Sequence, residues 1–165
     1  MESKQLLLLR HAKARTGEPG GSDRERRLTE KGRAAAARLG VFLRATGVRP
    51  DLVLCSTAAR TVETLEFLDL DASVEVLLED EIYHAGALDL FARLRRLPSS
   101  VGSVLLVGHL PTIQELAIAV TDGDEHLDRY PPAALADLRL PIVEWTELVP
   151  GVGHLAAFTT PHDLD

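Results

Sequence analysis

Three short runs of the chain are almost unbroken apolar sequence: Leu6–Leu9 (LLLL), Leu52–Cys55 (LVLC) and Val104–Val107 (VLLV). Successive side chains of a strand face opposite sides of its sheet, so a strand covered on one side alternates apolar and polar residues. A run without alternation needs cover on both faces, which is the situation of strands in a parallel sheet. Val74–Leu78 is a fourth strand candidate. Each run leads into a helical pattern. Leu28-Thr29-Glu30 opens a segment with apolar residues at 35, 36, 39, 42 and 43, one face of a helix, stopped by Gly47. Thr57 is placed as the N-cap of a helix carrying Ala58, Val62, Leu65 and Leu68 on one face. Gly86–Leu97 repeats the pattern through Leu90, Leu94 and Leu97. Pro111 suits the first position of a helix bearing Ile113, Leu116, Ala117 and Val120. This alternation predicts an α/β fold, a three-layer sandwich with helices on both faces of a mostly parallel sheet. The tail from Ala136 reads as two further strands around Pro141 and Gly151–Gly153, antiparallel at an edge.

At 165 residues the chain is expected to form one domain, residues 1–165, with Thr16–Ser22 (TGEPGGS) as a flexible loop. Its net charge of −7 argues against nucleic acid and anionic membranes as partners. That total conceals a division: residues 1–60 hold 13 Lys and Arg against 6 Asp and Glu, and residues 61–165 hold 5 against 19. A basic first third leaves room for an anion site. Leu6–Leu9 is too short for a signal-peptide core or a membrane span. One cysteine, Cys55, makes neither an internal disulfide nor a multi-cysteine zinc site, and the six histidines show no HxxxH or HxH pair. The expectation is a cytoplasmic protein, a monomer or small oligomer, with no metal.

Ligands of parallel α/β sheets collect beyond the carboxyl ends of the strands. Those positions here hold Arg10 and His11 after the first run, Ser56, Thr57 and Arg60 after the second, and Gly108 and His109 after Val104–Val107. Any one of them suits an ordinary polar rim. Their recurrence at three strand ends points to one shared site beside helix N-termini, whose free N–H groups favour anions. Two arginines and two histidines suit phosphate: guanidinium groups bind its oxygens in pairs, and imidazole can attack phosphorus or donate a proton. Lys13, Arg15, Arg24, Arg26 and Arg27 are further cations near the rim or in a solvated loop.

These segments resemble a known family. Leu9-Arg10-His11-Ala12 is similar to the RHG signature of the histidine phosphatase superfamily, with the phosphoglycerate-mutase-like fold, and Ala12 stands where glycine is usual. Leu28-Thr29-Glu30-Lys31-Gly32 resembles its LTxxG helix opening. Cys55–Thr61 (CSTAART) resembles its SSPxxRxxQT segment, and Gly108-His109-Leu110-Pro111 its GHN or GHxP segment. The likeness runs in order through residues 5–120, and RHAK in a short chain has the look of the small SixA-like phosphohistidine phosphatases.

The resemblance implies a six-stranded sheet with one antiparallel strand, His11 as a nucleophile that becomes a phosphohistidine, Arg10 and Arg60 on the phosphoryl oxygens, and His109 stabilising the transferring group. No cofactor is implied. Larger relatives take a general acid after the third strand, which makes Glu81 the choice here and Glu79 the second. A solvated acidic turn explains either as well. The 40 or so residues between Thr64 and Val104 leave no room for a helical lid, so an open rim would admit phosphohistidine on a partner protein. A small phosphate ester is the alternative substrate, and a phosphate-binding module without turnover is a third reading. A cysteine phosphatase loop needs five residues between Cys and Arg, whereas Cys55 and Arg60 are separated by four, none of them Gly.

Overall fold

The structure, a computed structural model, describes residues 3–165. Its sheet has six strands: β1 (Lys4–Arg10), β2 (Leu52–Ser56), β3 (Glu75–Glu79), β4 (Ser103–Gly108), β5 (Leu135–Leu140) and β6 (His154–Thr159), in the order β3-β2-β4-β1-β5-β6. β1, β2, β3 and β4 run parallel, and β5 is antiparallel to both β1 and β6. One strand therefore opposes the rest, and the edge placement expected for the tail holds. Alternation of side chains divides each central strand between two cores. Leu6, Leu8, Leu52, Leu54, Val104 and Leu106 pack on α4 (Ala87–Arg95) and α5 (Thr112–Thr121). Leu7, Leu9, Val53, Cys55, Leu105 and Val107 pack towards α1 (Glu30–Ala45) and α2 (Ala59–Leu68). This is why the runs carry no polar residues: both of their faces are interior.

Helix boundaries follow local chemistry. Thr29 caps α1, its hydroxyl accepting the Gly32 N–H at 3.0 Å. Thr57 does not cap α2. Ala58 holds the capping position without a side-chain bond, and the Thr57 hydroxyl donates instead to Asp80 Oδ1 at 2.5 Å. Pro111 likewise stands one residue before the helix, which starts at Thr112. Between α2 and β4 the chain builds only β3, the short α3 (Asp80–His84) and α4, with no helical lid. Among the described residues no helix is long and apolar enough to cross a membrane.

One glycine sets how α1 meets α2. A Cβ on Gly40 would stand 2.0 Å from the Leu68 carbonyl oxygen, so any side chain forces the two helices apart. Gly40→Ala is expected to destabilise the fold by about 2 kcal/mol or more, despite alanine's better helix propensity. Thermal unfolding of the variant checks this, and an unchanged Tm would contradict it.

Candidate active site

β1 and β4 are hydrogen-bonded in parallel register, with Arg10 opposite Gly108. The residues that follow, His11 and His109, therefore emerge side by side, their ring centroids 5.5 Å apart. The His11 N–H donates to the Gly108 carbonyl at 3.1 Å, which ties the two strand ends together. His11 Nδ1 lies 2.7 Å from the carbonyl oxygen of Ala12. A carbonyl only accepts, so the imidazole proton resides on Nδ1 and Nε2 keeps its lone pair. Ala12 is itself fixed: its N–H donates at 2.9 Å to the Thr64 hydroxyl, which donates in turn to the Arg60 carbonyl at 2.7 Å.

Arg60 projects from the first turn of α2 and is buried. Its Nη1 donates to the Asp23 carbonyl at 2.8 Å and its Nη2 to the Asp23 carboxylate at 3.0 Å. Asp23 lies in a 3-10 turn, Asp23–Glu25, between β1 and α1, and also accepts the Tyr83 hydroxyl at 2.7 Å and Arg26 Nε at 3.0 Å. The Tyr83 hydrogen bond, with those from Arg26 and Arg60, holds the Asp23 carboxyl far below the usual carboxylate range. Arg10 Nη1 donates to the Tyr130 carbonyl at 2.8 Å. His109 Nε2 is 2.8 Å from the Ser56 hydroxyl, which accepts the Ala58 N–H at 3.3 Å.

These bonds leave a distinctive residue. Four buried side-chain polar atoms lack a partner among the described residues, and three of them, Arg10 Nε, Arg60 Nε and His109 Nδ1, belong to this site. Buried donors are rarely left unmatched, because each costs about 1–3 kcal/mol. Together with His11 these residues line a cleft of about 310 Å³, joined by Lys13 and Arg26. It is a setting for an anion.

Both imidazoles stay neutral near pH 7. Burial first, then the Arg60 and Arg10 charges, lowers His11 to about 4 against the pull of the Ala12 carbonyl. Burial and Arg60 lower His109 to about 3. Unfolded, each would titrate near about 6.5. Between that value and the folded one the unfolded chain binds more protons, so stability is lost as pH falls from 6.5 towards 4. The wild-type Tm is expected to drop between pH 7 and pH 4.5, and a His11→Gln, His109→Gln double variant should show a shallower drop. Equal slopes in thermal melts would contradict the assignment.

The structure thus brings together Arg10, His11, Arg60 and His109, and it does not bring in Glu81. The Glu81 carboxylate is 57% exposed and sits 3.3 Å from Arg96 and 3.4 Å from Arg93. Glu79 takes Arg93 in a bidentate pair at 2.8 and 2.9 Å. Both face arginines of α4 or its end, and neither lines the cleft. Tyr83, two residues beyond Glu81, is what reaches the site: its ring stands edge-on to His109 at 5.6 Å. Sequence reasoning passed over Asp23 and Tyr83. Asp23 lies among arginines in a loop with no periodicity, and no spacing rule links it to Arg60.

The sequence model of the histidine phosphatase superfamily (branch 1) matches residues 6–89. An uncharacterized protein of Mycobacterium tuberculosis is 32% identical over 161 residues, covering 93% of this chain and 99% of that protein. Among solved structures, the protein of Nakamurella multipartitia assigned as the phosphohistidine phosphatase SixA superposes with a TM-score of 0.87 at 30% identity, over 98% of both chains. The protein assigned as SixA from Agrobacterium tumefaciens gives 0.83 at 29% identity, over 98% of this chain and 99% of that one. The matched segment contains Arg10, His11 and Arg60, and the structural likeness extends over the remainder, so the chain belongs to the histidine phosphatase superfamily (branch 1), as a phosphatase of the hydrolase type.

Proposed function

We propose that this protein is a metal-independent phosphatase that forms a phosphohistidine intermediate on His11 and removes phosphate from phosphohistidine carried on a partner protein in the cytoplasm. The observation that carries the reading is a neutral imidazole with its Nε2 lone pair free, set among three unmatched buried nitrogens. Nε2 attacks phosphorus; the new N–P bond forms as the bond to the leaving group breaks, and that bond's electron pair leaves with the departing atom. Arg10 and Arg60 neutralise the phosphoryl oxygens, and phosphoryl transfer relies mainly on such positioning and charge. The Ser56 hydroxyl, accepting from Ala58, directs its own proton to His109 Nε2, so that His109 Nδ1 carries a proton towards the transferring group. Water then attacks the phosphorus on His11, passing one proton to His109 Nδ1 to replace the one given to the leaving group and keeping the other on the phosphate formed. The N–P bond breaks, phosphate leaves, and its pair of electrons returns to Nε2.

Substrate class follows from the leaving group. An ester expels a poor alkoxide and needs a strong general acid, a role worth roughly 10²–10⁴ in rate. Phosphohistidine expels an imidazole, whose conjugate acid has a pKa of about 6.5. With Glu79 and Glu81 engaged by arginines, His109 Nδ1–H is the donor on hand, and the easier leaving group suits it. The absence of a lid between α2 and β4 accords with a macromolecular substrate, and a single free, buried cysteine accords with the cytoplasm. The test is kcat/KM on a phosphohistidine protein against sugar and nucleotide monophosphates. A preference of about a hundredfold or more for phosphohistidine is expected. Faster turnover of a small ester would replace this reading with a small-molecule phosphomonoesterase, and binding without phosphate release would replace it with a binding module.

A further inference from the structure

A second and larger concavity adjoins the catalytic cleft. The two share Lys13 and Pro132, so one surface runs from His11 into a groove of about 650 Å³ between α1 and the end of the chain. That is about twice the cleft's volume, far more than a phosphoryl group requires. Its charge is out of keeping with the molecule. The chain carries −7 overall, yet the groove is walled by Lys13, Lys31, Arg38 and Arg129 against a single carboxylate, Asp165. Asp165 is committed to Arg38 at 3.4 Å. Lys13, Lys31 and Arg129 are exposed, and none is ion-paired among the described residues. The wall imidazole His126 already has its own acid, Asp124, at 2.7 Å. Between the cations lie Pro132 and the half-buried Phe158, whose ring rests edge-on against Tyr130 at 5.0 Å.

We infer that this groove docks the segment flanking the phosphohistidine of the partner protein, and that it selects a segment bearing carboxylates beside apolar residues. The inference rests on the proposed phosphohistidine substrate and adds the partner's chemistry. Three unpaired cations over a partly apolar floor complement such a segment, and like-charged segments are repelled. On a protein of net charge −7, a groove walled by unpaired cations draws an acidic segment locally against a repulsive background. Lys13, at the junction, passes the chain from the groove into the cleft.

The test uses three synthetic peptides phosphorylated on one histidine and flanked by Asp and Glu, by neutral residues, or by Lys. Free phosphohistidine serves as the reference, and the enzymes are the wild type and a Lys31→Glu, Arg129→Glu variant. Neither substituted residue touches the catalytic cleft, and an acid in the first turn of α1 favours that helix. Wild type is expected to prefer the acidic peptide over the neutral one by about tenfold in kcat/KM, carried by KM and fading with added salt. The variant should lose or reverse that preference while hydrolysing free phosphohistidine as before. Equal kcat/KM on acidic and neutral peptides overturns the groove's role and leaves the substrate reading intact. Failure to hydrolyse free phosphohistidine, with an aryl phosphate still hydrolysed, overturns the substrate reading instead. In that case fluorescence anisotropy of the labelled, unphosphorylated acidic peptide decides the groove: salt-sensitive binding lost in the variant supports it, and no binding overturns it. Preferential binding of phosphatidylserine–phosphatidylcholine vesicles over the acidic peptide also overturns it.

Discussion

Stopped in alkali during turnover, the wild-type protein is expected to retain its phosphoryl group on His11, and His11→Ala or His11→Gln to retain none. Alkali preserves a phosphoramidate bond, so peptide mapping of the quenched protein locates the group directly. Loss of the nucleophile removes the first bond-forming step, and kcat should fall by about 10⁴ or more. His11→Gln keeps a polar side chain beside Ala12 and guards against a packing explanation, and its circular dichroism should match the wild type. Cys55 is the natural rival nucleophile and is poorly placed for the part. It is fully buried as the penultimate residue of β2, and burial pushes its thiol up to about 12, which leaves no thiolate near neutrality. A label on Cys55, or full turnover by His11→Gln, would end the proposed mechanism.

The second large effect belongs to Arg60. Arg60→Ala should lower kcat by roughly 10²–10³, the usual consequence of removing one preorganised charged donor from a transferring group. Arg60→Lys should recover little of this, because a compact ammonium lacks the planar fork whose two Nη atoms hold Asp23 while Nε remains free. Asp23 grips two of the guanidinium's three nitrogens and leaves Nε free. Asp23→Asn should therefore act through Arg60, with a loss of about tenfold, and Tyr83→Phe with a smaller one. A double-mutant cycle separates this from general damage: once Arg60 is alanine, Asp23→Asn should cost almost nothing more. Equal losses in both backgrounds would show that Asp23 works by another route.

The parts of this fold that were readable in advance are those governed by short-range periodicity. Leu6–Leu9, Leu52–Cys55 and Val104–Val107 could be recognised as interior strands because both of their faces demanded cover, and the strand ends then located Arg10, His11, Arg60 and His109 together. What escaped depends on contacts between distant loops. Asp23 meets Arg60 across 37 residues and Tyr83 across 60. Thr57 is a cap by residue type, yet its hydroxyl donates to Asp80 and accepts from Arg24, both in other segments. Position after the third strand is all that points to Glu81 in the sequence. Its partners, Arg93 on α4 and Arg96 just past its end, could be known only once α3 and α4 were placed.

The strand order has a kinetic side. β4 lies between β2 and β1, though both precede it in the chain, so the middle of the sheet remains an open slot until residues 103–108 enter it. His109 rides in on that insertion, and its distance from His11 is fixed by the Arg10–Gly108 pairing. The pairing of His11 with His109 therefore cannot exist before β4 is in register, whatever the order in which the other strands form. Regain of phosphatase activity during refolding is thus expected never to precede protection of the β4 amides in hydrogen exchange.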